Sequence, residues 1–110
     1  EAPLAVVVCA DPALCDVWVE DASIASTFIS LAAEALGLGS CWIQIRERRH
    51  SPEKTAEEFV REVLRIPPHL KVEALIAIGY PAEEKPAHQK EDLQYEKVFA
   101  NLYGQPAPWL

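Results

Sequence analysis

Hydrophobic and polar positions fall along this chain in blocks that predict strand, helix, strand, helix, strand and a polar tail. Leu4 to Ala10, LAVVVCA, is apolar on both faces and rich in valine, the pattern of a buried strand. Asp11-Pro12 supplies the turn after it, and Ala13 to Val19 follows neither period. A long helix is expected from Asp21, its candidate N-cap, because Ile24, Phe28, Leu31, Ala32, Ala35 and Leu36 recur at helical spacing. Ser23, Ser26, Ser30 and Ala33 fill its other faces, and Glu34 is the one charge between Ala22 and Leu38. So uncharged a helix is expected to be buried nearly all round. Its small residues admit a close neighbour, either another helix across a dimer or the interior of one domain. Gly37 suits the helix-ending position where φ turns positive, and Gly39 the sharp turn beyond it.

Ser40 to Arg46 then reads as a strand with Cys41, Ile43 and Ile45 on one face and Trp42, Gln44 and Arg46 on the other. Glu47 to His50 is a polar connection. Ser51-Pro52 opens a second helix through Arg65, with Ala56, Phe59, Val60, Val63 and Leu64 as its apolar stripe and Pro67-Pro68 as its stop. Leu70 to Tyr80 alternates at first and is wholly apolar from Ala74 to Ile78, as a strand entering a sheet interior would be. Ala82 to Asp92 is charged, proline-punctuated and extended. Leu93 to Leu102 has room for one or two helical turns, and QPAPWL is an arm rather than a core element. The order of elements predicts α/β or α+β packing, with helices against one sheet.

The 110 residues fit one domain, and 10 basic against 17 acidic groups leave a net charge of −7. That balance argues against non-specific binding to nucleic acid or an anionic membrane surface. No apolar run is long enough to span a bilayer. Cys9, Cys15 and Cys41 form no CxxC pair, so reduced thiols and a cytoplasmic setting are expected, with neither a disulfide framework nor a metal site. The chain has no methionine and opens on Glu1-Ala2-Pro3. The expectation is therefore a partial domain that leaves exposed some apolar surface its other part would cover.

Candidate chemistry is sparse. Asp11, Asp16, Glu20 and Asp21 lack cation-loop spacing and read as turn and helix-dipole residues. His50, His69 and His88 lie in predicted loops, outside any triad. Gly37-Leu38-Gly39 lacks the lysine of a phosphate loop and precedes a strand. Arg46, Arg48, Arg49 and His50 form a small basic cluster that reads first as a solvated loop. Lys85, His88 and Lys90 are a second basic set after the last strand.

Taken together, AAEALGLGSCWIQIR, the helix ending in VLRIPPHLKV and the later ALIAIGYPAEEKP resemble the C-terminal part of the nitroreductase family, over nearly the whole chain. The resemblance implies an α+β fold, a sheet with packed helices, of which residues 1–110 form a single partial domain lacking the N-terminal part and residues 82–110 an extended C-terminal arm. It implies an FMN-dependent homodimer that carries hydride from NAD(P)H through flavin N5 to a nitro, quinone or similar acceptor. Gln44 and Ile45 match the family's backbone donors to the N5 and O4 edge, with Trp42 and Ile43 lining the ring face. The family's glycine in this stretch is replaced by IQIR. Lys85 matches the basic contact to the flavin phosphate, with His88 and Lys90 weaker matches. The family's arginine-rich N-terminal phosphate motif is not in these residues. No catalytic side chain is implied, since the cofactor carries the redox step. The alternative is a truncated, flavin-deficient relative acting as a dimeric interaction module.

Overall fold

The computed structural model describes residues 1–110. Three strands, β1 (Leu4–Ala10), β2 (Gly39–Gln44) and β3 (Lys71–Gly79), form one sheet in the order β1-β3-β2, with both neighbours antiparallel to β3. Helix α1 (Trp18–Ala35) lies on one face and the shorter α2 (Ala56–Leu64) on the other. Alternation along the strands explains the layering. Val6, Ala74, Ile76 and Ile78 pack with Ile29, Ala33 and Leu38 beneath α1, whereas Val7, Cys9, Ile45 and Leu75 pack with Ala56 and Val60 beneath α2. The apolar run of the last strand is thus explained by its central place. Ile76, fully buried there, contributes about 1.5–3 kcal/mol. The first strand lies at an edge and is only half-buried, with Leu4 exposed, because a single strand covers it.

The pairing of β1 with β3 slips once. Val8 opposes Ala74 but Cys9 opposes Val72, so Glu73 is an extra residue in β3, a β-bulge. The bulge turns Glu73 toward α1, where Ser23 meets its side chain.

Helix α1 starts at Trp18 rather than Asp21. Val17 takes the N-cap position without a side-chain cap, and Glu20 and Asp21 fall in the first turn, where carboxylates favour the positive helix end. Gly37 takes the expected positive φ of 74°. The helix is not buried all round. Ala22, Ser26 and Ala33 form its buried stripe, small enough to seat it close on the sheet, while Ile24, Phe28, Leu31 and Leu36 are 55–76% exposed. Nothing in this chain covers that apolar face.

Helix α2 starts four residues later than Ser51-Pro52 suggests. Thr55 caps it: its hydroxyl accepts the Glu58 N–H at 3.1 Å, and the Glu58 carboxylate accepts the Thr55 N–H at 2.7 Å. Ser51 instead closes a local turn, its hydroxyl accepting the Glu53 N–H. After β3, residues 82–110 contain only two single-turn 3₁₀ segments, Lys90–Asp92 and Tyr95–Lys97, and an isolated bridge between Phe99 and Pro106. The radius of gyration is 17.9 Å, against about 13 Å for a compact chain of this length.

Candidate functional site

Strand β2 is hydrogen-bonded to β3 on one side only, so its outer edge has no strand partner. The hydrogen bonds at its end set its parity. The Ile45 N–H donates to the Glu73 carbonyl at 3.2 Å. In an antiparallel ladder, residues alternate between those whose main-chain groups meet the partner strand and those whose groups face away. Ile45, Ile43 and Cys41 therefore face β3, and Gln44, Trp42 and Ser40 turn their N–H and C=O groups to the open edge. Ile45 is 6% exposed, and its N–H donates to the Glu73 carbonyl. Of Gln44 and Ile45, Gln44 is the one whose N–H faces the open edge.

The side chains divide as the strand period predicts. Trp42 and Gln44 stand opposite Ile76 and Ala74, on the α1 face; Ile43 projects to the α2 face. Trp42 and Ile43 consequently flank the edge from opposite sides rather than forming one surface. On the α1 side, Trp42 Nε1–H donates to Gln44 Oε1 at 3.0 Å, and Gln44 Nε2–H donates to the Arg46 carbonyl at 2.9 Å. The Gln44 side chain is thereby tied along its own strand.

Glu73 holds the end of that strand. Its carbonyl accepts both the Ile45 N–H and the Arg46 N–H, the latter at 3.0 Å. Its buried carboxylate (the residue is 3% exposed) accepts the Ser23 hydroxyl at 3.3 Å and lies 3.1 Å from Arg46 Nε. The Arg46 contact is close but off the hydrogen-bond axis, leaving Arg46 Nε and Glu73 Oε2 without an aligned partner. Arg46 also pairs with Glu47 at 3.0 Å. The rest of the basic cluster is held locally: Arg49 donates to the loop carbonyls of Ser51 and Pro52, and His50 stacks on Phe59 of α2 at 3.8 Å.

At the opposite end of β2, where Gly39 pairs with Gly79, an open groove of about 970 Å³ gathers Glu34, Ser40, Cys41, Tyr80, Lys85 and His88. Lys85 and His88 are brought together there, with Lys85 paired to Glu83 at 3.3 Å in solvent. Trp42 to Ile45 do not line this groove. Cys41, the groove residue nearest to Gln44 along the strand, lies three residue steps from it, roughly 10 Å.

A second carboxylate, Glu57 on α2, accepts the Val72 N–H at 2.9 Å beside the β3 bulge, and pairs with Arg61 at 3.1 Å and Lys71 at 3.4 Å. Burial alone would raise its pKa, but the Val72 N–H and the two cations outweigh it and hold the carboxyl below the ordinary glutamate value. Burial, followed by the charge of Glu57, pushes the Cys9 thiol up. Neither Glu73 nor Glu57 is singled out by motif reading. The available signal for Glu73 is its position as the one charge inside the apolar run from Val72 to Ile78.

Fold and edge together define an α+β domain, a helix-backed antiparallel sheet with a main-chain donor at the open edge of its second strand. Residues 2–80 match the nitroreductase family model, and the chain belongs to that family. It is similar to the solved "FMN-dependent Nitroreductase" from Clostridium difficile R20291, with 50% identity and a TM-score of 0.89 over 93% of this chain and 59% of that one. It is also similar to two proteins named "Putative NADH dehydrogenase/NAD(P)H nitroreductase". The one from Archaeoglobus fulgidus is 39% identical over 83% of this chain and 52% of its own length, and the one from Methanothermobacter thermautotrophicus is 41% identical over 76% and 42%. The chain thus spans about half the length of the curated relatives it matches. No helix is long and apolar enough to cross a membrane.

Proposed function

We propose that this chain supplies the C-terminal part of an FMN-dependent NAD(P)H oxidoreductase of the nitroreductase type, acting on a nitro, quinone or similar acceptor. The observation that carries the reading is the open edge of β2, where the Gln44 N–H has no partner strand and the Gln44 side chain is already tied to Trp42 and Arg46. A fixed main-chain donor beside an aromatic side chain suits the acceptor-bearing rim of a flat heterocycle, and the FMN-dependent relative at 50% identity supports the choice. Bound FMN supplies the hydride relay between NAD(P)H and the acceptor. The chain's own residues bind and orient. The Gln44 N–H would hold the N5 and O4 rim, and a preorganised donor there would stabilise negative charge without reorganisation. Trp42 and Ile43 flank the ring from the two sides of the sheet. Lys85 and His88, at the other end of β2, offer positive charge to the phosphate. Ile45 supports the strand from the α2 side.

The same reading takes the uncovered face of α1 as a homodimer contact, residues 82–110 as an arm extending from the sheet, and the cytoplasm as the setting. The alternative of a flavin-deficient interaction module draws on the same apolar face but leaves the fixed edge donor without a purpose. Titrating the intact protein with FMN separates the two. Saturable quenching of flavin fluorescence, with bleaching on addition of NADH or NADPH, is the expected result, and no quenching at micromolar protein sinks the flavin reading.

A further inference from the structure

We infer that Glu73, acting with Arg46 and Ser23, is a positioning device that fixes the Gln44 N–H at the open edge of β2. The inference rests on the flavin reading for its ligand but not for its geometry. A carboxylate inside an apolar sheet is costly to bury, and this one has a specific arrangement around it. The bulge in β3 points the Glu73 side chain at α1, where Ser23 Oγ donates to Oε1 at 3.3 Å. The same residue's carbonyl gathers the N–H groups of both Ile45 and Arg46, at 3.2 and 3.0 Å. Its Oε2 lies 3.1 Å from Arg46 Nε, holding the guanidinium back against the sheet. One residue therefore anchors the end of β2 through its main chain and its side chain together, and the anchor sits next to Gln44. The Gln44 side chain closes the arrangement from the other direction by bridging Trp42 to the Arg46 carbonyl. With both ends tied, the Gln44 N–H has one direction open to it, away from β3.

Glu73 and Arg46 touch no ligand in this scheme. They act through the backbone of Gln44, so their effect on a flavin comes from the placement of a donor. Glu73→Gln keeps the shape and can still accept from Ser23, but it releases Arg46 toward solvent and Glu47. Two readouts on the intact protein decide the matter. In flavin-free protein, amide NMR of Glu73→Gln should show shifted Gln44, Ile45 and Arg46 resonances and faster exchange of the Ile45 and Arg46 amides, with the rest of the sheet unmoved. In flavin-loaded protein, the variant should bind FMN about tenfold more weakly and show a shifted flavin reduction potential, and Ser23→Ala should move both in the same direction by less. Arg46→Lys, which keeps the charge but loses the planar fork, replaces Glu73→Gln if the latter does not fold. Unmoved Gln44–Arg46 amides in a folded variant overturn the inference. So do FMN affinity and potential equal to wild type. Wild-type protein that binds no FMN overturns the flavin reading alone, because the amide measurement still decides the positioning.

Discussion

Two glutamates, Glu57 and Glu73, repair the places where this small sheet departs from a regular ladder. Glu57 accepts the Val72 N–H beside the bulge and carries Arg61 and Lys71 with it, so α2 is joined to β3 by charge as well as by packing. Glu57→Gln weakens a charge-assisted bond to a main-chain donor, and a loss of about 1–3 kcal/mol is expected in urea unfolding. The pH dependence follows from the sign of the shift. The folded-state pKa of Glu57 lies below the ordinary value, so the unfolded chain takes up the proton first as pH falls. The contribution is full above the ordinary glutamate range and is lost as pH drops through the lower, folded value. Glu58, held low by the Thr55 main-chain and side-chain hydrogen bonds, has the same sign. Acid unfolding of Glu57→Gln should therefore show a shallower slope than wild type, and an unchanged slope would count against this account.

The parity of β2 makes a second prediction about single residues. Proline removes an N–H, which is damaging inside a ladder and tolerable on an open edge. Gln44→Pro removes the exposed donor and two side-chain bonds but no ladder bond, and should cost less than Ile43→Pro, which breaks a bond to β3 and costs about 1–3 kcal/mol or more. Equal destabilisation by the two variants would show that the parity is wrong.

At the scale of elements, the strands and their faces were readable in the chain because the period of two is simple and β3 is apolar throughout its centre. The division of Trp42 and Gln44 from Ile43 and Ile45 follows from it directly. Helix ends were less legible. Ser51-Pro52 looks like an N-terminus, but the reciprocal Thr55–Glu58 pairing wins because it satisfies two orphan donors at once. Thr55→Ala should accordingly cost about 1 kcal/mol, measured as a lowered urea midpoint, and Ser51→Ala close to nothing. The start of α1 is illegible for a different reason. Trp18 and Val19 continue the helix without a side-chain cap, so no local signal marks the boundary. The Glu73 bulge was invisible because a one-residue slip between β1 and β3 is decided by pairing across the sheet rather than by local sequence. The occupied N–H of Ile45 follows instead from the alternation of the β2–β3 ladder, which the side-chain pattern of β2 does not reveal.

For the molecule as a whole, an apolar helix face and an expanded chain point the same way. Ile24, Phe28 and Leu31 present an exposed apolar strip on α1, with Leu36 exposed just past its end, the kind of surface that seeks a partner. Sedimentation equilibrium of the intact protein should give a dimer, and Phe28→Glu with Leu31→Glu should shift it to monomer while leaving the sheet folded. A dimer unaffected by both changes would place the contact elsewhere. On the reading proposed above, the open edge of β2 is where a flavin would bind. The most direct test is a structure of the intact protein with FMN bound. The account predicts the flavin's N5 and O4 rim within hydrogen-bonding reach of the Gln44 N–H, with Lys85 at the phosphate end; a ring bound away from the edge of β2, or no flavin at saturating concentration, would contradict it.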